Sequence, residues 1–195
     1  MFDFNVLTGL WVFIILMVGT PGPANLLTMA AGAQIGFIRC VPFNLGLTLG
    51  KFLLNIAMGL GLGVILVKFS TFQTLLKFCG AGYMIYLALR SWNINNQINR
   101  QELNIGWKQG MLVHPLNPKA WVMTLIAWTE FGPQLGGFVF QFVIITSSFA
   151  LVQIIVHNSW CLFGAILNRS IPNNLLLSRI LILLTIIVII WAVLI

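Results

Sequence analysis

A chain of 195 residues that is 59% hydrophobic and only 7% charged is not an ordinary soluble domain, which carries about 25% charged residues. Most of its apolar surface must face lipid, and the class that remains is an all-α polytopic membrane protein. Ten Lys and Arg stand against three Asp and Glu, a balance that elsewhere signals nucleic acid. Here the cations are dispersed between apolar runs and form no patch, which signals topology and argues against a nucleic-acid partner.

Residues 4–38 carry no charge. As one helix they would run about 50 Å at about 1.5 Å per residue, too far for a hydrocarbon core of about 30 Å. Thr20-Pro21-Gly22-Pro23-Ala24-Asn25 resolves the excess. Proline lacks the backbone donor and clashes with the carbonyl one turn back, so the first span breaks into two half-helices ending near Arg39. A second span is predicted over 42–67. Its Gly46-Leu47-Thr48-Leu49-Gly50 spacing lets a neighbouring backbone come close, and Lys51 and Asn55 follow one turn apart on one face. The third span covers 71–90, with Gly80 and Gly82 central and Arg90 at its end. Residues 91–108, with Arg100, Glu102 and Lys108, read as a connecting loop.

The fourth span, 109–131, carries a second proline motif, His114-Pro115-Leu116-Asn117-Pro118-Lys119, and closes at Glu130. The fifth, 136–167, holds Gln141, Gln153, His157 and Asn158 and ends at Arg169 and Pro172. The sixth, 174–195, is almost pure Leu and Ile after Arg179. Six transmembrane helices thus fall into residues 1–90, the loop 91–108 and residues 109–195, with helices 1 and 4 broken at proline motifs that begin 94 positions apart. Arg39, Arg90, Arg100, Lys108, Arg169 and Arg179 belong to the odd loops, and Lys68 and Lys77 to the other side. That bias puts the odd loops in the cytoplasm and both termini outside. With three spans per half, the two repeats must be inverted.

A broken helix in hydrocarbon is tolerated only where it is buried in protein or lines a wet cavity. Transporters place substrate sites at such breaks. A half-helix that starts after a break offers unpaired N–H groups and the positive end of its dipole, which suit a carboxylate. Pro21, Gly22, Pro23, Asn117 and Pro118 are therefore candidate substrate-binding positions, against the alternative of purely structural kinks. Lys119 is an intramembrane cation directly behind the second break; it would pair with a substrate carboxylate or with Glu130, or else snorkel to an interface. Lys51 lies deep in the second span, where a desolvated lysine could carry a coupling proton, hold a carboxylate or snorkel. Asn25, Asn55, Asn117 and Asn158 could orient a zwitterion or simply join helices. His114 and His157 could relay protons, but a histidine among polar neighbours more often packs and hydrogen-bonds. Cys40, Cys79 and Cys161 show no metal or disulfide spacing, and Asp3 with the long following apolar run argues against a cleavable signal peptide.

At these motifs the chain resembles the lysine-exporter superfamily, and specifically the LysE/RhtB-type amino-acid exporters of bacteria. The resemblance rests on Thr20 to Asn25, Gly46 to Gly50, the run Cys79 to Arg90, and Leu116-Asn117-Pro118-Lys119-Ala120. Asn158-Ser159-Trp160 followed by Gly164 is similar to the branch that includes the cysteine/O-acetylserine exporter. The resemblance implies two inverted three-helix repeats, a homodimer in the bacterial inner membrane, and export of amino acids against an inward proton flow, with no cofactor. Two positions depart from the family: Lys51 stands where an acidic residue is frequent, and Thr129-Glu130-Phe131 replaces a frequent Pro-Gln-Phe.

Two other classes compete. Related electron-carrying membrane reductases place a cysteine beside each proline motif, which this chain does not. A non-transporting scaffold would need neither two helix breaks nor two intramembrane lysines.

Overall fold

The computed structural model describes residues 4–90, 105–170 and 175–194. Among them every regular element is helical: α1 Phe4–Gly19, α2 Pro23–Ile35, α3 Phe37–Gly59, α4 Leu62–Lys68, α5 Ser70–Arg90, α6 Trp107–Val113, α7 Pro118–Ile126, a π-helical turn Ala127–Phe131, α8 Gly132–Leu135, α9 Phe138–Ser170 and α10 Leu175–Leu194. Three of these, α3, α5 and α9, are long and apolar enough to cross a membrane, and the bent pair α1 and α2 makes a fourth. Most of the expected 91–108 loop, with Arg100 and Glu102, lies outside the described residues, as does Pro172.

Both proline motifs break their helices. The first bends α1 against α2 by 53°, with Pro23 at the start of α2, where its missing N–H costs nothing. The second separates α6 from α7, and Pro118 opens α7 in the same way. Two breaks were not expected. The turn after the first span falls at Gly36, where φ is +81°, so α3 starts earlier than predicted and takes in Arg39. The predicted 42–67 span is also split, at Gly61 with φ +102°. Both angles lie in the region open to glycine and strained for other residues.

Polarity is arranged inside out. Ile15, Leu16, Phe72, Val139, Ile155, Ile187 and Trp191 are exposed, while Asn25, Lys51, Asn55, His114, Asn117, Gln153 and His157 are buried. A lipid solvent explains both facts, since polar groups there must find partners within the protein.

Helix contacts also sort the charges. A Cβ at Gly46 would lie 2.0 Å from the Trp107 carbonyl oxygen, and one at Gly50 2.1 Å from that of Met111, so α3 and α6 run parallel from a common end. This is the close approach expected of the Gly46/Gly50 spacing. Asn44 Nδ2 donates to Asn158 Oδ1 at 3.0 Å, and the Cys40 thiol donates to Asn44 Oδ1 at 3.8 Å, with Cys161 in the same buried cluster. The end of α9 therefore lies beside the start of α3. Tyr83 donates to the Gln109 carbonyl at 2.9 Å and Gly80 abuts Leu116, which brings the end of α5 to the same place. Arg39, Arg90, Lys108 and Arg169 thus share one end of the bundle, hereafter the basic end. The cysteines, unrelated by spacing, prove to be two buried in one core cluster plus an exposed Cys79.

Candidate functional site

The two breaks meet in the middle of the bundle. Gly22, the N-cap of α2, has extended backbone and no side chain to cap the first turn, so that turn keeps the uncapped N–H groups expected of it. The carbonyls left open upstream are met by Asn25, whose Nδ2 donates to Val18 O at 2.7 Å and Thr20 O at 3.0 Å. At the second break the expectation of free N–H groups is only partly met. Asn117 caps α7 itself, its Oδ1 accepting from the Lys119 amide at 3.1 Å, as N-cap asparagines do.

Lys119 joins the breaks. Its Nζ donates across them to Thr20 O at 3.1 Å and Thr20 Oγ1 at 2.8 Å, and a Cβ added at Gly22 would stand 3.1 Å from that ammonium. A side chain there would crowd the lysine and push its ammonium aside by a few tenths of an ångström. The lysine is thus engaged with Thr20 and not with Glu130, which is exposed on the π-helical turn, where the Thr129 hydroxyl donates to it.

Against this junction lies a cavity of about 430 Å³ lined by Pro21, Gly22, Pro23, Pro118 and Lys119, with Gln73 and Lys77 from α5 and Trp191 from α10. Its size is in the lower part of the range for small-molecule sites, and its walls are largely apolar with a few polar groups, as such sites are. A second void, about 20 Å³, lies behind Gly22 and Lys119 among Asn25, His114, Asn117, Gln153 and His157.

Seven predicted positions therefore converge: Pro21, Gly22, Pro23, Asn25, Asn117, Pro118 and Lys119. Three do not line either cavity. Lys51 is wholly buried, with Nζ donating to Ala120 O at 3.2 Å and to the Thr124 hydroxyl, 3.9 Å from the centre of the Phe149 ring. This geometry excludes snorkelling for Lys51. Asn55 donates to Lys51 O at 3.0 Å and accepts from the Trp128 indole at 3.2 Å, which fastens α3 to the π-helical turn. Asn158 is taken up by Asn44 and by Ile154 O, at 2.7 Å. Thr20, Gln153, His114 and His157 are the neighbours the candidate set omitted. Gln153 and His157, four apart, share a face of α9; His114 belongs to the motif itself.

A family model described as LysE type translocator matches residues 14–195. A homoserine/homoserine lactone efflux protein of Salmonella typhimurium is 26% identical over 165 residues, which cover 77% of this chain and 78% of its own. An uncharacterized membrane protein of Vibrio cholerae is 21% identical over 165 residues, 82% of this chain and 80% of its own. The uncharacterized membrane protein YrhP of Bacillus subtilis is 26% identical over 164 residues, 76% of each chain. No solved structure matches the chain significantly.

Proposed function

This chain belongs to the family of LysE type translocators, and from that premise we propose that it is a secondary transporter exporting small amino acids or close derivatives. The cavity at the crossing of the two helix breaks is the substrate site, and Lys119 is its carboxylate anchor. One observation carries this reading. The Lys119 ammonium is held by Thr20 at the wall of a cavity of about 430 Å³, next to the uncapped first turn of α2. A carboxylate there gains a charge-assisted hydrogen bond together with the dipole of α2.

The transporter spans the bacterial inner membrane six times in two inverted repeats, with both termini outside and the basic end in the cytoplasm. The gathering of Arg39, Arg90, Lys108 and Arg169 at one end supports that orientation. Inward proton flow drives export by exchange at the same central site. Lys51 and Asn55 brace α3 against α7 and the π-helical turn.

Counterflow into proteoliposomes with labelled amino acids, with and without a pH gradient, tests the function. Homoserine and its lactone make the sharpest pair, because they share a skeleton and only the former has a free carboxylate. Lys119→Met is expected to weaken homoserine uptake far more than lactone uptake. Equal losses for both would remove the carboxylate role; no counterflow of any amino acid would remove the function.

A further inference from the structure

The void behind Lys119 is too small for any amino acid, at less than a twentieth of the neighbouring cavity's volume. It is nevertheless polar. His114, at the end of α6, and His157, on α9, stack with ring centroids 5.3 Å apart and planes at 27°. Both are buried. Gln153 Nε2 lies 3.3 Å from His114 Nε2; with the amide as the donor, that nitrogen accepts and the His114 proton sits on Nδ1. Yet His114 Nδ1, His157 Nδ1 and Gln153 Oε1 are buried with no protein partner. Buried polar atoms in this number are paired in stable proteins, by water where no side chain reaches. A void of about 20 Å³ has room for about one water, and the unpaired atoms give it partners.

The charges facing this pair are known on every side. Lys51 faces both imidazoles from α3, and Lys119 lines the void from α7. The element α2 contributes only the neutral Asn25, and the one described carboxylate, Glu130, is exposed on the π-helical turn. Two stacked imidazoles beside two cations, with no anion, cannot both become imidazolium in a medium of low dielectric. One added proton, beyond the N–H of each neutral ring and shared by the pair and its water, is the most the arrangement holds.

We propose that His114, His157 and Gln153, with one enclosed water, form a single-proton site coupled to the substrate cavity through Lys119. This rests on the substrate reading above. Lys119 lines both spaces; the substrate's carboxylate sits on the cavity side of Lys119 and its ammonium at the mouth of the void, nearer the imidazoles than the carboxylate is. A bound ammonium and a protonated pair oppose each other electrostatically. Each therefore expels the other, which is the competition that exchange of one proton for one amino acid requires. Lys51 stays outside this exchange, held by Ala120 and Thr124.

The test is substrate binding to the purified full-length protein by calorimetry, using whichever amino acid the counterflow panel identifies. Buffers of different ionisation enthalpy count the protons exchanged. At acidic pH, up to one proton should leave per amino acid bound. Apparent affinity should rise with pH by up to about tenfold per unit where the pair titrates, scanned over about pH 4 to 8. In His114→Gln and His157→Gln, whatever their absolute affinity, this slope and the proton release should vanish. Binding by the parent protein with no proton release at any pH would overturn the proposal while leaving the export reading intact. So would an unchanged slope in both variants, which would pass the proton to Lys51. If a variant does not fold, Lys51→Met takes its place: proton release that persists without Lys51 keeps the proton on the pair, and its loss overturns the proposal.

Discussion

Between the basic end and the helix breaks, neighbouring helices touch backbone to backbone. Beyond the breaks they touch through side chains. In the first region Gly32 meets Cys161 and Gly164 meets Met29, Gly46 and Gly50 meet α6, and Gly80 meets Leu116, each through a main-chain carbonyl. In the second, Gly59 faces the Trp128 ring, Gly63 a methyl of Leu125, and Gly9 the Phe131 ring, and the large cavity opens between α5, α7 and α10. Small residues are how helices gain contact in lipid, where no hydrophobic force draws them together. A backbone contact has no rotamer with which to yield, whereas a side-chain contact does. The first region is therefore a fixed seal, and the second is the half that can accommodate a guest.

The largest expected effect breaks the seal. Gly46→Val places a branched side chain where even a Cβ stands 2.0 Å from the Trp107 oxygen, and Gly164→Ala does the same at Met29. Overpacking costs about 1–3 kcal/mol where neighbours can shift, and here backbone must. Thermal unfolding in detergent should drop by more than about 5 °C, with loss of membrane abundance. Wild-type melting of both variants would erase the distinction between the regions.

Next comes the cavity half. Lys119→Met should raise the KM for an amino acid by about tenfold or more, the worth of one charge-assisted hydrogen bond, with little change in melting. Lys51→Met should leave that KM alone at about pH 8, above the titration of the histidine pair, because Lys51 lines neither cavity. A similar rise in both would mean that the two lysines share the substrate.

A smaller effect is expected where the regions join. Asn117→Ala removes the cap of α7 and should cost about 1 kcal/mol, a fall in melting temperature of about 2–4 °C. Pro118→Ala should cost less than that, since a first-turn proline forfeits no hydrogen bond. A greater loss from Pro118→Ala would mean the proline, and not the cap, sets the break. Smallest of all is Gly63→Ala. Its new Cβ would lie 2.7 Å from Leu125 Cδ1, the far end of a side chain that can rotate away. Melting should move by less than the equivalent of about 0.5 kcal/mol; a fall as large as that of Gly46→Val would show the second region to be equally rigid.

The sequence by itself determined what depends on local chemistry. Prolines at 21, 23 and 118 cannot continue a helix from the preceding turn, so both breaks were legible. The spacing of Gly46 and Gly50 announced a close backbone contact, and a cation directly behind Pro118 announced a reason for being there. Single glycines were less legible: Gly36 and Gly61 look like many others until the fold demands positive φ of them. Contacts between distant segments were decided only by the tertiary structure. Nothing in the sequence pairs Asn44 with Asn158, or Cys40 with Cys161, and so it leaves Asn158 open between a substrate contact and a link between helices until the fold sets Asn44 against it. Lys51 has the same spacing whether it snorkels or not; only the packing of α7 and Phe149 over it settles that it is enclosed. His114 and His157 are 43 positions apart, and a stack of rings is a matter of two helices' rotation about their axes. Periodicity fixes which face a residue is on, but the partner of that face is chosen by the packing of the whole bundle.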